Sequence, residues 1–81
     1  MSIRVLFFAT LAEATGLRET EVEASACPDV ASIYARFSLR FPKLEAQRST
    51  LLCAVNSEFA RPDSPVHDGD EVAFFPPVSG G

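Results

Sequence analysis

A chain of 81 residues with 47% hydrophobic content, seven Phe among them, is one small domain near the lower size limit for a fold held by burial alone. That composition excludes general disorder and leaves no room for a second domain. Eleven acidic against seven basic residues give a net charge of -4, the wrong sign for the phosphate-neutralising surface of a nucleic-acid binder and better suited to a basic protein partner.

"SIRVLFFAT" alternates and is rich in β-branched and aromatic residues, which predicts a strand from Ile3 to Thr10, central in its sheet because it is apolar on both faces. The apolar run "VLFFATLA", Val5 to Ala12, falls far short of the ~20 residues that span a bilayer. One Arg before it and Glu13 directly after it make a poor signal peptide, so a cytoplasmic protein without a membrane partner is expected. "LAEATG" predicts one or two helical turns stopped by Gly16. In "RETEVEA", Thr20, Val22 and Ala24 share one face and Glu19, Glu21 and Glu23 the other, the pattern of a half-solvated strand that pairs with the first.

The clearest helix comes next. Asp29 is its N-cap after Pro28, Val30, Ile33, Tyr34, Phe37 and Phe41 recur at helical spacing, and Pro42 ends it. Residues 43 to 50, "KLEAQRST", form a polar connection with a helical turn. "LLCAVN", Leu51 to Asn56, predicts a short buried strand, and "NSEF" a turn into a small strand near Phe59. After the turn-rich "RPDSPVHDGD", "EVAFF" makes the last strand, stopped by Pro76 and Pro77, which cannot donate to a ladder. Five strands and one main helix in this order predict an α+β roll, a mixed sheet packed on one amphipathic helix as in ubiquitin. Residues 1–75 are expected to form the domain and 76–81 an extended tail.

No catalytic set emerges. His67 sits in the turn with Asp68, Gly69 and Asp70, and no nucleophile stands at a spacing that names a reaction. Cys27 and Cys53 have neither metal nor redox spacing and are expected to be reduced; Cys53 reads as core and Cys27 as a loop or helix-entry residue. No bound metal or cofactor is implied. Val72 to Phe75 are apolar in succession, so one face of the last strand is a candidate partner surface.

The tail carries the strongest signal. Pro76 and Pro77 favour an extended polyproline conformation that holds the last four residues away from the domain. The six residues from Pro76 to Gly81 can reach about 20 Å at full extension, enough to enter a deep channel. Glycines at 80 and 81 let the backbone pass walls that any Cβ would strike and put the carboxyl group at the leading tip.

"VLFFAT", "LLCAVN" and above all "DGDEVAFFPPVSGG" resemble the small subunits of molybdopterin synthase, over nearly the whole chain and least over residues 43 to 50. The resemblance implies a β-grasp fold and a sulfur-carrier role in molybdenum cofactor synthesis. It implies three partners: the large synthase subunit, an adenylating enzyme similar to ubiquitin-activating enzymes that uses ATP and magnesium, and a sulfur donor protein. Gly81 would bear the thiocarboxylate, Gly80 would give clearance, and Val78 and Ser79 would line the inserted tail. Phe74, Phe75, Pro76 and Pro77 would form the docking surface. Two carriers in turn would supply the dithiolene sulfurs to cyclic pyranopterin monophosphate. A thiamin-thiazole-type sulfur carrier, a ubiquitin-like protein modifier and a plain interaction module with an inert tail are the competing readings.

Overall fold

The computed structural model describes residues 1–48 and 50–77. A five-stranded mixed sheet runs in the order β2-β1-β5-β3-β4, built from β1 (Ser2–Phe7), β2 (Glu19–Glu23), β3 (Leu52–Val55), β4 (Glu58–Ala60) and β5 (Glu71–Phe75). β1 pairs antiparallel with β2 and parallel with β5, and β3 pairs antiparallel with both β5 and β4. The main helix α2 (Val30–Arg40) packs across one face, accompanied by the short α1 (Thr10–Thr15), α3 (Pro42–Glu45) and one 3₁₀ turn at Ala24–Ala26. This is the expected α+β roll with its ubiquitin-like topology.

The core arises where two periods meet. Strand alternation turns Ile3, Val5 and Phe7, Val22, Cys53, Val72 and Phe74 to one side of the sheet, and the helical period turns Val30, Ile33, Tyr34 and Phe37 toward them. Two aromatic contacts knit the layers, Phe37 meeting Phe7 edge-on at 5.2 Å and Tyr34 meeting Phe74 edge-on at 5.4 Å, while Phe7 stacks on Phe74 at 5.8 Å within the sheet. The Asp29 cap is as expected, its Oδ1 accepting from the Ser32 N–H at 2.8 Å. The Tyr34 hydroxyl donates to the Leu44 carbonyl, which locks α3 onto α2.

The first strand differs from expectation in its end and in its facing. β1 stops at Phe7 rather than Thr10, because Ala9 turns to φ 51 and its carbonyl accepts from Ala12 and Glu13, so that Thr10 opens α1. β1 is interior but not apolar on both faces, since its outer side carries the exposed Arg4, and β5 holds the centre of the sheet. The β3–β4 hairpin turns at Asn56 and Ser57, both at positive φ, as the "NSEF" reading requires. Asn56 also fastens that turn to β5: its amide donates to Asp70 Oδ1 at 3.0 Å and its side-chain oxygen accepts from the Glu71 N–H at 3.0 Å.

Candidate functional site at the root of the tail

β5 delivers the chain to Pro76 and Pro77, and the surroundings of that exit are set by the pleat. Successive residues of β5 face opposite ways: Val72 and Phe74 are buried under α2, while Glu71, Ala73 and Phe75 face outward. Phe74 therefore cannot serve as a docking residue in the way the sequence reading expected. Its ring is fully buried against Phe7 and Tyr34, and a continuous apolar run conceals that only every second side chain is available. Phe75 does lie on the outer face, half-buried, with Pro76 half-buried and Pro77 exposed beyond it. Val78, Ser79, Gly80 and Gly81 lie outside the described residues.

The sheet register extends this surface to residues that sequence reasoning missed. Leu52 stands directly across from Phe75, and Phe59, opposite Ala54, brings its ring to 5.9 Å from the Phe75 ring. On the other side, one step beyond the Phe7–Phe74 pair, the Phe8 N–H donates to the Phe74 carbonyl at 3.1 Å. Phe8, Leu52 and Phe59 are 47%, 37% and 82% exposed. Ala73 and Ala54, paired side by side, floor the surface between them with little relief. Phe59 and Phe75 in contact, with Leu52 across from Phe75 and exposed Phe8 on the neighbouring segment, make an apolar patch of the kind that marks an interaction surface. The signal for Phe8 was present in the sequence: once Ile3, Val5 and Phe7 face inward, Phe8 must face out.

The far end of the outer face is polar. Arg4 bridges Glu71 at 3.2 Å and Glu19 at 3.5 Å, while Glu21 and Glu23 stay exposed along the edge strand β2. An open groove of about 730 Å³ runs beside Phe8, walled by Leu6, Ala12, Glu13 and Arg18.

The turn that leads into β5 is held by its own hydrogen bonds. The His67 N–H donates to Asp70 Oδ2 at 2.8 Å within a turn closed by Gly69 at φ 88. The hydrogen bonds from Asn56 and His67 hold the Asp70 carboxyl below its ordinary range. Burial pushes both thiols up, Cys27 at the end of the 3₁₀ turn and Cys53 on the inner face of β3, so neither is a poised thiolate. Among the described residues no group of three or more His, Cys, Asp or Glu could hold a metal ion, and no helix is long and apolar enough to cross a membrane.

The ThiS family pattern matches residues 5–81, nearly the whole chain. The chain belongs to the ThiS family. A relative from Escherichia coli K12, the "Molybdopterin synthase sulfur carrier subunit", is 43% identical over 81 residues, covering 98% of this chain and 99% of its own. The crystal structure of SAMP1 from Haloferax volcanii superposes with a TM-score of 0.84 at 30% identity, covering all of both chains. A Helicobacter pylori complex of subunits 1 and 2 of molybdopterin-converting factor contains a chain of the same fold, with a TM-score of 0.69 at 22% identity over all of both chains. This ThiS-family chain thus pairs a β-grasp body with an apolar surface at the base of its Gly-Gly terminus.

Proposed function

We propose that this chain is the sulfur carrier subunit of molybdopterin synthase, with Gly81 as the residue that bears the sulfur. The observation that carries the reading is the root of the tail: β5 ends at Phe75, whose outward ring meets Phe59 and stands across from Leu52, with the exposed Phe8 one step beyond the Phe7–Phe74 pair, so a partner that seats on this outer face lies where the chain leaves the sheet. The name of the E. coli relative, similar over almost the full length of both chains, supports the same activity.

On this reading a free carboxylate is too poor an acyl electrophile to take sulfur directly. A partner similar to ubiquitin-activating enzymes, using ATP and magnesium, joins the Gly81 carboxylate to AMP with release of pyrophosphate, and sulfide-level sulfur passed on by a donor protein attacks the acyl carbon, expelling AMP and leaving a thiocarboxylate. The large synthase subunit then docks on Phe75, Pro76 and Pro77 together with Phe8, Leu52 and Phe59, and admits Val78, Ser79 and Gly80 into its channel. Docking raises the effective concentration of the thiocarboxylate at the substrate, cyclic pyranopterin monophosphate. Two carriers in turn complete the dithiolene. Acid, base and phosphate contacts belong to the partners, and the carrier works in the cytoplasm, where its thiols stay reduced.

Intact-mass measurement tests this. After incubation with the adenylating enzyme, ATP, magnesium and a sulfur donor, the chain gains the mass of one oxygen-to-sulfur exchange, located at the C-terminal residue by fragmentation. An unchanged mass under conditions that charge the E. coli relative would remove the carrier reading.

A further inference from the structure

We propose that the solvent face of α2 and α3, carried by Arg36, Leu39, Arg40 and Lys43, is a second docking surface whose occupant is an acidic patch of the protein that supplies sulfur. The inference rests on the carrier reading of Gly81. α2 turns Val30, Ile33, Tyr34 and Phe37 into the core, so Arg36, Leu39 and Arg40, at the i, i+3, i+4 spacing of neighbours on a helix, face water. Lys43 continues them on α3. Leu39 is 88% exposed, and the Arg40 guanidinium lies 5.1 Å from the centre of the Phe41 ring, which holds the cation against the surface. Among the described residues Arg36, Arg40 and Lys43 form no ion pair, whereas Arg4 and Arg48 do.

The charge of the chain is segregated about this face. Residues 36 to 48 hold four of the seven cations and one of the eleven carboxylates, a local charge of +3, so the remainder carries -7. That remainder repels an extended anionic plane such as a bilayer or a duplex, while a protein patch of matching size meets only the four side chains. Two of the three unpaired cations are arginines, whose planar donors match carboxylates two bonds at a time. Position says which partner. Sulfur is taken up while the Gly81 acyl group is joined to AMP, when the adenylating enzyme holds the tail and covers its root on the outer face of the sheet. α2 and α3 lie on the opposite side of that sheet, so their face stays open in this complex. A protein bringing sulfur can seat there without displacing the enzyme.

Charging of the full-length chain is followed by intact mass in the presence of the adenylating enzyme, ATP and magnesium, with sulfur offered in two ways. One is a persulfide-bearing sulfurtransferase, each sample being reduced with a thiol after quenching; the other is sodium sulfide, which needs no docking. The native chain is compared with a triple variant, Arg36→Gln with Arg40→Gln and Lys43→Gln. The variant should melt like the native chain and be charged by sulfide at the native rate. From limiting protein donor it should be charged about tenfold more slowly, the low end of electrostatic steering. Raising sodium chloride from about 0.1 to about 1 M shortens the screening length from about 10 to about 3 Å. That should slow the native chain with the protein donor, relative to sulfide, and leave the variant's ratio unchanged. Equal rates for the two chains with the protein donor overturn the proposal. So does an equal loss with both sulfur sources, which would assign the face to the adenylating enzyme. Sedimentation of the native chain alone with phosphatidylglycerol vesicles, with donor charging native in the variant, would make the face a membrane contact instead. If neither source charges the native chain, the carrier reading fails and takes this inference with it.

Discussion

Phe74 and Phe75 are adjacent on one strand and should fail in opposite ways. Phe74 is fully buried, stacked on Phe7 and edge-on to Tyr34, so Phe74→Ala leaves a cavity where the sheet meets α2. Phenylalanine-to-alanine changes at such sites cost about 3–5 kcal/mol. Against a total of roughly 4–12 kcal/mol for a chain of this length, that is a large share of the stability. Phe75→Ser removes an outward ring whose aromatic partner is Phe59, at 5.9 Å, a contact worth about 0.5–1.5 kcal/mol. Its melting temperature should fall by only about 4–8 °C for each kcal/mol lost. Affinity for the large subunit should fall far more, by ~2 kcal/mol or above, which is about 30-fold in the dissociation constant. Thermal melts and titration calorimetry on the two variants give both quantities. If Phe75→Ser unfolds the domain while Phe74→Ala folds and loses only binding, the facing of β5 and the docking surface built on it are both wrong.

Tyr34 is the chain's sole tyrosine, so its ionisation can be followed alone by near-ultraviolet absorbance. Burial, reinforced by Glu45 and only partly offset by Arg48 and Ser38, pushes its phenol up to about 12. A folded value above the unfolded one near 10 means that its contribution, about 2–3 kcal/mol, is complete below pH ~10 and is lost as the pH rises toward about 12. Tyr34→Phe should abolish this alkaline loss, and a tyrosinate midpoint near 10 in the folded protein would contradict the buried hydroxyl. Ser57, at φ 71 in the β3–β4 turn, stands in a conformation that costs an L-residue about 1–2 kcal/mol. After the entropy cost of glycine, Ser57→Gly should stabilise the domain by about 0.5–1 kcal/mol in urea melts and leave carrier activity unchanged; a lower midpoint would refute the turn assignment.

What could be read in the sequence was local and periodic. The α2 face, its Asp29 cap and the Pro42 stop all have short-range causes, and the structure returns them. The β1 boundary was not legible, because Ala9 takes a backbone conformation that its residue type disfavours and that only the surrounding hydrogen bonds enforce. The docking surface was half legible: "EVAFF" announced too much apolar surface for one strand, but which of Phe74 and Phe75 faces out depends on which side α2 covers. Leu52 and Phe59 join Phe75 only through the register of β3 with β5 and β4, a relation between distant parts of the chain.

Whether Gly81 is the sulfur-bearing end of the carrier is decided by moving that end. Removing Gly81, or adding one residue after it, displaces the carboxyl by about 3.3–3.6 Å. Near-attack geometry tolerates only about 1 Å before rates fall about 100-fold. Intact-mass spectrometry of the native chain and both variants, each incubated with the adenylating enzyme, ATP, magnesium and a sulfur donor, reads the outcome. The native chain should gain sulfur, and both variants should fold, bind the large subunit through the same outer face and stay uncharged. A Gly81 deletion that acquires sulfur and sustains molybdopterin synthesis at the native rate would contradict the carrier mechanism.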